Sequence, residues 1–535
     1  ASAVQIGDPI TQKKLSDALV KEARDQLLYT SITDNGAGGL SCSVSEMAKE
    51  SGGCLVELEK IPLKYPGLDP WEIWISESQE RMTLALPPQN WQMFSDLMQR
   101  RGVEATVIGT FTKSGKCIVT YHDKTIMDLD LAFLHDGLPQ RPMTTRKPKN
   151  VILERNDNEA IGSVSRDPIS RSSSFQDDGN KILLNMLSRL NITSYEFISQ
   201  QYDSIVQGSA VLGPLQGRGR VNADTSVLRP VLTSQKGVIL SQALYPAYSD
   251  IDPYAMAAST IDTAIRNAVA AGANPDQLAL LDNFCWCSPD DPERLWQLKE
   301  AVKACYDYAL AYQTPFVSGK DSMFNNFNGF DKKGKLIKIA IPPTLLISTF
   351  GVVDDITKVV SLDSKKTGDL LYILGETYEE LGGSEYFALQ NAQSLTVPQV
   401  NAIINSKLYK TLYQAIQKNL IASSTSIGRG GLAVAAAKKA LGGMLGLTID
   451  LQKIPGQHTR DDFALYSESQ GRILITVARE NKNAFEEIIR GNTFANIGKI
   501  TKDPAIEITG LNGKSIIEMS LKKALKVYKQ TFKDY

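Results

Sequence analysis

Apolar positions in the middle of the chain recur at helical spacing in two long segments. One stripe runs through residues 255–271, where Gly272 ends the helix, and a second runs through residues 292–312. Continuous apolar runs at residues 238–240 and 344–350 predict strands. The two stripes consist of Met256, Ile261, Ile265 and Val269, and of Leu295, Leu298, Val302 and Cys305. Because these strands and helices do not alternate regularly, the pattern predicts a mixed α/β fold of the α+β class.

Two motifs recur along the chain at almost the same offset. The glycine cluster Gly36-Ala-Gly-Gly-Leu40 returns 392 residues later, and Ser76-Glu-Ser-Gln-Glu-Arg-Met82 returns 391 residues later. The second copies are Gly428-Arg-Gly-Gly-Leu432 and Ser467-Glu-Ser-Gln-Gly-Arg-Ile473. In each copy the glycines precede a helix (43–49; 433–440), and the serine motif precedes a strand (82–86; 473–477). Chance does not keep two spacings together, so the first and last parts are predicted to be duplicated domains.

The clearest break in the pattern is residues 142–180. This segment is rich in Ser, Arg, Asp and Asn and shows neither helical nor strand period, so it is predicted to be a flexible linker. It separates a first domain at residues 1–141 from about 355 later residues. We expect those to divide near residue 353, which gives domains at 181–353 and 354–535.

The composition excludes several classes of function. Lys and Arg number 58 against 59 Asp and Glu, so the net charge of −1 provides no basic surface for nucleic acid or membrane. The longest apolar stretch, residues 339–353, contains two prolines and is too short to span a bilayer. Six cysteines are too few for a disulfide scaffold, which favours a reducing, cytoplasmic setting.

Histidine chemistry has little support in these residues. Only His122, His135 and His458 occur, and none is near another histidine or a cysteine in sequence, which argues against a histidine-rich zinc centre. The first residues include no initiating Met, basic region or apolar signal core. We therefore expect the sequence to begin in mid-protein.

The first candidate site is the segment Asp34-Asn-Gly-Ala-Gly-Gly-Leu40. Its glycines allow backbone N–H groups to approach an anion at a helix N-terminus, and the carboxylate of Asp34 suits magnesium. The segment is not a Walker loop, because no Gly-Lys-Ser/Thr follows at the required spacing. A structural turn explains the same residues equally well.

The second candidate is the triplet Glu77-Ser78-Gln79. It offers a charged acceptor, a hydroxyl group and an amide, and in an extended segment Glu77 and Gln79 share one face. A turn at the edge of a strand is the alternative interpretation. Duplication of the motif indicates that the fold needs it, so its function has to be argued from other evidence.

Two polar segments follow predicted strands in the middle domain. Asp282-Asn283 comes after residues 278–281, and Gly319-Lys-Asp-Ser322 comes after residues 316–317. The carboxyl ends of strands are a usual place for ligand-binding residues in α/β sheets. A glycine, a cation, a carboxylate and a hydroxyl group suit phosphate, although a solvated turn uses the same residues.

Motifs along nearly the whole chain resemble the synthetase subunit of phosphoribosylformylglycinamidine synthase. They follow the family order: Val4-Gln-Ile-Gly-Asp-Pro9, Asp34-Asn-Gly-Ala-Gly-Gly-Leu40, Pro70-Trp-Glu-Ile-Trp-Ile-Ser-Glu-Ser-Gln-Glu-Arg-Met82, Gln201-Tyr-Asp203, Ser318-Gly-Lys-Asp-Ser322, Pro342-Pro-Thr344 and Leu381-Gly-Gly-Ser-Glu385. The resemblance implies tandem copies of a two-domain unit shared with aminoimidazole ribonucleotide synthetase. This chain would contain the second domain of copy one and both domains of copy two, without the family's N-terminal region.

The resemblance implies an ATP-dependent ligase of purine biosynthesis. It would convert formylglycinamide ribonucleotide and ammonia to formylglycinamidine ribonucleotide, ADP and phosphate through an iminophosphate. The implied cofactors are ATP and Mg²⁺, and the residues carried over fall into three groups. They are Gln5, Glu77, Ser78, Gln79 and Ser322 for substrate, Asp282 and Gly319 for ATP, and Asp34 and Asp321 for metal.

Three departures from the family pattern change these expectations. The family's catalytic histidines belong to the missing N-terminal part, so we expect no catalytic residue in this chain and no activity without that part. Lys320 stands where some members carry a magnesium-binding Asn, which leaves only Asp321 for that metal. A second, pseudo-symmetric nucleotide site would place its metal ligands at Asp203, Thr263, Asn267 and Ser426. Because Thr263 and Ser426 replace carboxylates, we expect that second site to be empty or weak.

Partners follow from the same resemblance. We expect the missing N-terminal portion of the enzyme, a separate glutaminase subunit that supplies ammonia, and a small bridging subunit as partners. One alternative is a non-catalytic half that completes another polypeptide. Another is a sister synthetase of the superfamily, against which the tandem repeat argues.

Overall fold

The computed structural model describes residues 4–5, 7–148, 175–201, 205 and 208–535. Chain contacts divide it into two compact units, residues 1–142 and 143–535. Most of the predicted linker, residues 149–174, lies outside the described residues. The last six residues of the predicted linker are helical instead. They form the start of a helix that begins at Phe175, and later residues of that helix contribute side chains to a hydrophobic core.

Where the structure describes it, the first unit contains eight strands and five α-helices. The strands are β1 (Val4–Gln5), β2 (Ser31–Asp34), β3 (Cys54–Glu57), β4 (Glu77–Ser78), β5 (Met82–Ala85), β6 (Gly109–Phe111), β7 (Lys116–Tyr121) and β8 (Lys124–Asp130). The helices are α1 (Pro9–Ala18), α2 (Leu40–Ser51), α3 (Pro70–Ile75), α4 (Trp91–Arg101) and α5 (Leu131–Asp136). Strands β6-β3-β7-β8 form one sheet, and β1-β4 and β2-β5 form two short pairs.

Among its described residues, the first part of the second unit contains ten strands and four α-helices. The strands are β9 (Ala210–Leu212), β10 (Leu215–Gln216), β11 (Val221–Asn222), β12 (Thr225–Leu228), β13 (Gly237–Leu244), β14 (Leu278–Cys285), β15 (Phe316–Ser322), β16 (Asn326–Phe330), β17 (Leu336–Ala340) and β18 (Thr344–Val353). The helices are α6 (Phe175–Leu187), α7 (Glu196–Ser199), α8 (Pro253–Ala270) and α9 (Pro292–Tyr312). Six strands form one sheet in the order β15-β14-β18-β13-β12-β9.

Helix α8 is buried on every side rather than along the single predicted stripe. Asp252 caps its N-terminus, and every residue from Ala255 to Ala270 is buried, since the helix packs against the sheet, α9 and the last domain. Its small side chains permit this close packing. The stripe predicted for α9 is partly wrong as well: Val302 is 49% exposed, because the buried face runs through Gln297, Ala301 and Ala304.

The opposite face of the six-stranded sheet carries apolar side chains that are accessible. Leu240 and Leu244 on β13 are 42% and 36% exposed, and Val352 on β18 is 47% exposed. The antiparallel register pairs Leu240 with Phe350, which places these side chains on one face. Helices therefore cover this sheet from one side only among the described residues.

The last part of the second unit contains seven strands and six helices. The strands are β19 (Leu370–Leu374), β20 (Ser423–Ser426), β21 (Gly446–Asp450), β22 (Ile473–Val477), β23 (Phe494–Thr501), β24 (Ala505–Thr509) and β25 (Ser515–Ser520). The helices are α10 (Glu385–Leu389), α11 (Ala402–Gln417), α12 (Gly431–Gly443), α13 (Asp461–Tyr466), α14 (Lys482–Ile489) and α15 (Leu521–Tyr528). The strands form one sheet in the order β20-β22-β19-β23-β21-β24-β25.

Strand register repeats between the two duplicated segments. Asp34 on β2 pairs with Met82 on β5, and Ser426 on β20 pairs with Ile473 on β22. These positions differ by the offsets of 392 and 391 that the motifs show. Likewise β3 pairs antiparallel with β6 and parallel with β7, as β21 does with β23 and β24. The duplicated sequence therefore folds into duplicated strand pairing.

Helix α12 carries a lysine in the core of the last domain. Lys439 is fully buried, and its Nζ donates to the Leu362 carbonyl at 2.9 Å and to Ser423 Oγ at 2.8 Å. Burial lowers the pKa of Lys439 to about 7, because neither neutral acceptor compensates the desolvated charge. The adjacent Lys438 differs, since its Nζ lies 3.0 Å from Asp224.

We predict that Lys439→Met removes a component of the pH dependence of stability. An unfolded lysine titrates near pH 10.5, so between about pH 7 and 10.5 the unfolded chain binds more protons than the folded one. The free energy of unfolding of the parent protein should rise across that window, relative to the variant, by up to about 1.4 kcal/mol per pH unit. Chemical denaturation at several pH values measures this slope.

Lys438→Met is the matched control for that experiment. Burial alone would lower the pKa of Lys438, but Asp224 raises it above its ordinary value. Its removal should leave the slope between pH 7 and 10 unchanged. Equal slopes in the parent protein and Lys439→Met would contradict the assignment.

Candidate functional site

The candidate residues of the first unit meet around strand β4. Strand β1 pairs with β4 in parallel, which puts the Gln5 backbone opposite Ser78. Asp34 ends β2 and is exposed at the start of the glycine cluster. A Cβ atom on Gly39 would lie 2.2 Å from the Ser76 carbonyl oxygen, so only glycine permits the turn to pack against this motif.

A polar network fixes the strand ends beneath this turn. Asn35 is buried, and its Oδ1 accepts hydrogen bonds from Thr83 Oγ1 at 2.8 Å and from Ser43 Oγ. Thr83 belongs to β5 and Ser43 to α2, so one amide oxygen joins the strand pair to the helix. Asp34, the residue before it, is left pointing into solvent at the edge of the turn.

An arginine closes the Ser-Glu-Ser-Gln segment in both copies. Arg81 donates from Nη2 to the Ser76 carbonyl at 2.9 Å and from Nε to the Ser78 carbonyl at 3.3 Å. Its counterpart Arg472 donates to the Ser467 carbonyl at 2.6 Å and to the Ser469 carbonyl at 3.0 Å. The arginine was duplicated together with the motif whose backbone carbonyls it bonds, which explains why it recurs at the same spacing.

The glutamates of the two copies have different surroundings. Glu77 is only partly buried and accepts from Gln79 Nε2 at 2.5 Å, so both side chains lie on one face. Glu468 is 1% exposed and accepts from Gly430 N at 2.9 Å, Glu385 N at 3.0 Å and Tyr248 Oη at 2.5 Å. Burial raises the pKa of Glu468. The second-copy motif is therefore sealed inside the protein, whereas the first-copy motif is accessible.

The candidate residues of the second unit sit on two neighbouring parallel strands. Asp282 pairs with Gly319 and Asn283 with Lys320 across β14 and β15. The expectation that they follow the strands is wrong, because pairing between β14 and β15 extends both strands to Cys285 and Ser322. A Cβ atom on Gly319 would lie 1.9 Å from Asp282 Oδ1, so the carboxylate occupies the space that a side chain would need.

The strand register sorts these residues onto two faces of the sheet. Asp282 and Asp321 share the face covered by helices, where burial, and then the charge of Asp321, raises the pKa of Asp282. Lys320 and Ser322 share the open face, and Lys320 Nζ donates to Ser322 Oγ at 2.7 Å. Lys320 therefore does not neutralise the two carboxylates.

The donor sets fit magnesium only if other ligands complete the coordination. Asp34, Asp282 and Asp321 supply carboxylate oxygens, which are hard ligands of the kind magnesium prefers. Within the described residues, no group of three or more His, Cys, Asp or Glu side chains lies close enough to hold a metal. One or two carboxylates with substrate phosphates is a common arrangement for magnesium.

At the expected second nucleotide site, an arginine takes up the space between the implied ligands. Arg266 is fully buried and donates from Nε to Ser426 Oγ at 2.8 Å and from Nη2 to Thr263 Oγ1 at 3.0 Å. Asp262, one turn earlier on α8, pairs with the same guanidinium. The residues present do not fit a metal, because the guanidinium of Arg266 already bonds to both Thr263 and Ser426. Asp203 lies outside the described residues.

The space beside that arginine is also small. A cavity of about 20 Å³ is lined by polar residues that include Asn267, Ser424 and Ser426. Such a volume accommodates about one water molecule rather than a nucleotide. That this second site is empty or weak stays a prediction, which the small volume and the buried Arg266 favour.

None of the three histidines bonds to a candidate site residue in the described parts of the chain. His135 Nε2 lies 3.0 Å from the Ser45 carbonyl, and the His122 backbone N–H donates to Glu59. His458 Nδ1 is buried without a hydrogen-bond partner.

No helix among the described residues is both long and apolar enough to cross a membrane.

Sequence reasoning missed Arg266, Arg81 and Lys439. The signal for Arg266 was present: an Asp-Arg pair at positions i and i+4, Asp262 and Arg266, inside a helix made mostly of small apolar residues. The repeated Ser-Glu-Ser-Gln motif also contains an arginine at the same position, Arg81 in the first copy and Arg472 in the second. Lys439 gave no signal, since Lys438-Lys439 reads as an exposed basic pair.

Profiles of known domain families match three segments of the chain. The profile "AIR synthase related protein, C-terminal domain" matches residues 1–122 and 366–510, and the corresponding N-terminal domain profile matches residues 222–342. One profile thus matches both repeated segments, which confirms the duplication and the α+β fold. The domain limits at 141, 181 and 353 stay predictions.

Known proteins are similar to this chain over 66% to 99% of its length. The phosphoribosylformylglycinamidine synthase subunit PurL of Methanocaldococcus jannaschii is 33% identical over 534 residues, covering 99% of this chain and 68% of that protein. A structure of PurL from Thermotoga maritima complexed with ATP has a TM-score of 0.58 at 19% identity and covers 92% of this chain and 67% of that chain. Another, complexed with FGAR, has a TM-score of 0.50 at 18% identity and covers 66% and 54%. At these identities the two structures show a shared fold.

We predict that the same substitution destabilises the protein in the second copy and has little effect in the first. Glu468→Gln should lower the free energy of unfolding by about 2–3 kcal/mol, because an amide cannot accept all three buried hydrogen bonds. Glu77→Gln should change it by less than about 0.5 kcal/mol. Urea denaturation followed by circular dichroism measures both values. Equal losses in the two variants would show that the accessibility of the motifs does not differ as described.

Proposed function

The chain belongs to the family of the phosphoribosylformylglycinamidine synthase subunit PurL, and from that premise we propose that it carries out the synthetase reaction of purine biosynthesis. In this reaction formylglycinamide ribonucleotide, ATP and ammonia give formylglycinamidine ribonucleotide, ADP and phosphate. The observation that carries the proposal is the accessible Glu77-Ser78-Gln79 triplet of copy one, whose copy-two counterpart is buried. Only one of the two copies keeps its polar groups available to a ligand.

The chemistry requires an amide oxygen to become a leaving group. The amide oxygen of the substrate attacks the γ-phosphorus of ATP, the bond from that phosphorus to the bridging oxygen breaks, and ADP leaves. Ammonia then adds to the carbon of the iminophosphate, and phosphate departs. Positioning and stabilisation of charge account for most of the catalysis in such phosphoryl transfers.

Residues of the first unit are proposed to orient the ribonucleotide substrate. Glu77 accepts hydrogen bonds from donors of the substrate, Ser78 supplies a hydroxyl group, and Gln79 donates from the amide that now bonds Glu77. Gln5 is proposed as a further contact because its backbone lies opposite Ser78. Ser322 in the second unit is proposed as a substrate contact, with Lys320 as its hydrogen-bond donor.

Residues of β14 and β15 are proposed to hold ATP. Asp282 is proposed to accept hydrogen bonds from ATP. Gly319 is proposed to contribute because it has no side chain that would displace this carboxylate. Asp34 in the first unit and Asp321 in the second are each proposed as a magnesium ligand, and magnesium would neutralise phosphate charge when it is bound. Asp282 and Asp321 lie on one face of the sheet, and their mutual repulsion favours a cation between them.

The catalytic histidine is proposed to come from a segment without counterpart in these residues. The alignment leaves about a third of the archaeal relative unmatched, and the hydrogen bonds of His122 and His135 in the described parts go to other residues than the candidates. The accessible apolar face formed by Leu240, Leu244 and Val352 is a suitable surface for such a segment. A glutaminase subunit, together with a small bridging subunit, is proposed to supply ammonia in the cytoplasm.

The second candidate function is a non-catalytic half that only completes another polypeptide. We predict that ADP forms from ATP, FGAR and ammonium chloride only when this chain is mixed with the segment of a PurL relative that has no counterpart here. Coupled detection of ADP measures the rate, with FGAR omitted as the blank. ADP from the mixture that does not depend on FGAR, or no ADP from either sample, would favour the non-catalytic role.

In that mixture, Glu77→Gln should lower kcat/KM for FGAR by about 10- to 100-fold. A hydrogen bond to a charged acceptor contributes about 1.5–3 kcal/mol, and the substitution removes that charge. Glu57→Gln is the control, since it makes the same change in the same unit at a carboxylate that pairs with Lys60 on the surface. Similar values for the two variants would exclude Glu77 from substrate binding.

Gly319→Ala should raise the KM for ATP by about tenfold or more, because the new methyl group displaces the Asp282 carboxylate. The KM for FGAR should change much less. Gly213→Ala is the control: its Cβ atom would meet only Ile205 at 3.9 Å. An unchanged KM for ATP in Gly319→Ala would remove Asp282 and Gly319 from the nucleotide site.

A further inference from the structure

Two cysteines face each other at the centre of the four-stranded sheet in the first unit. Strands β3 and β7 run parallel, and their register places Cys54 directly opposite Cys117. Residues opposite each other on neighbouring strands project to the same side of a sheet. The two thiols therefore meet on one face, although 63 residues separate them in sequence.

The distance between the sulfur atoms is short. Cys54 Sγ lies 3.3 Å from Cys117 Sγ, and the two residues are 2% and 0% exposed. Neighbouring strands run about 4.8 Å apart. That separation falls within the range of about 4.4–6.8 Å between the Cα atoms of a disulfide. A rotation of side chains, without a change of strand pairing, would bring the sulfur atoms to bonding distance.

The pair is also chemically unequal. Cys54 donates its S–H to Cys117, and this hydrogen bond lowers the pKa of the Cys117 thiol, while burial opposes the change. The same hydrogen bond, and then burial, raises the pKa of Cys54. Ser45 Oγ lies 3.8 Å from Cys117 Sγ. Cys117 is thus the better nucleophile and Cys54 the resolving thiol.

From this geometry we propose that Cys54 and Cys117 are a redox modification site, at which a peroxide of low molecular weight converts the two thiols to a disulfide. The Cys117 thiolate attacks one peroxide oxygen, so that an S–O bond forms, the O–O bond breaks and the departing hydroxide becomes water. The Cys54 sulfur then attacks the sulfenic sulfur, an S–S bond forms and a second water leaves. Two thiols are oxidised, and one hydrogen peroxide is reduced to two waters.

The link would close a loop of the chain that carries the substrate triplet. Residues 55–116 lie between the two cysteines, and Glu77-Ser78-Gln79 is part of them. A cross-link between β3 and β7 restricts the unfolded chain while it leaves every surface side chain in place. Oxidation therefore stabilises the first unit instead of blocking its polar face.

The other cysteines provide an internal comparison. Cys42 is exposed on α2, and its sulfur donates to Glu46. Burial, and then Glu46, raises the pKa of Cys42, which makes it a poorer nucleophile in spite of its exposure. If accessibility alone governed oxidation, Cys42 would react first. If proximity governs it, the buried pair reacts first.

The experiment is a peptide map of the folded full chain after treatment with hydrogen peroxide. Thiols that remain are alkylated after denaturation without a reducing agent, and the digest is analysed by mass spectrometry. We expect a peptide that links Cys54 to Cys117, an intact mass lower by two hydrogens, and a Tm raised by several degrees. Dithiothreitol should reverse all three changes.

Variants separate the proposal from accidental oxidation. Cys42→Ser should keep the linked peptide, and Cys54→Ala should lose both the peptide and the rise in Tm. Cys54 and Cys117 both found alkylated, while Cys42 is oxidised, would overturn the proposal; so would oxidation of Cys117 beyond the sulfenic acid without a link. The map of the unsubstituted chain decides the matter even if Cys54→Ala does not fold.

Discussion

One backbone carbonyl organises each copy of the duplicated domain. The Ser76 carbonyl accepts from Arg81 and leaves no room for a Cβ atom at Gly39; the Ser467 carbonyl accepts from Arg472 and does the same at Gly431. A glycine cluster, a helix start and a polar triplet are thereby held around a single oxygen atom. Arg472 is fully buried, so its guanidinium has to be satisfied by acceptors of the protein, and the second copy tolerates little variation around it.

On this shared frame the copies have diverged by burial rather than by backbone. Strand register is the same around Asp34 and Ser426, yet Glu77 is accessible whereas Glu468 satisfies three donors inside the protein. A carboxylate that is fully bonded to its own protein has no capacity left for a ligand. The second copy thus became part of the scaffold, and ligand binding was left to the first copy and to the β14–β15 pair.

Periodicity and repetition in the sequence predicted what depends on local spacing. The limits of α9 and β22 agree with the expected residues, because Pro292 begins the helix and an uninterrupted apolar run forms the strand. The errors arise where partners distant in sequence decide the outcome. Val302 is exposed because α8 packs one residue away from the predicted stripe, and β14 and β15 extend through their polar ends because they pair with each other. Site roles carried over by resemblance stay predictions.

The guanidinium of Arg266 has a thermodynamic consequence for the second copy. A metal or nucleotide stabilises a protein only to the extent that its concentration exceeds its dissociation constant. The guanidinium of Arg266 is part of the chain and is already paired with Asp262. Unlike a bound metal, it is not lost on dilution or removed by a chelator. The interface that Arg266 joins, between α8 and the residues around Ser426 and Gln470, therefore holds independently of the metabolic state of its surroundings.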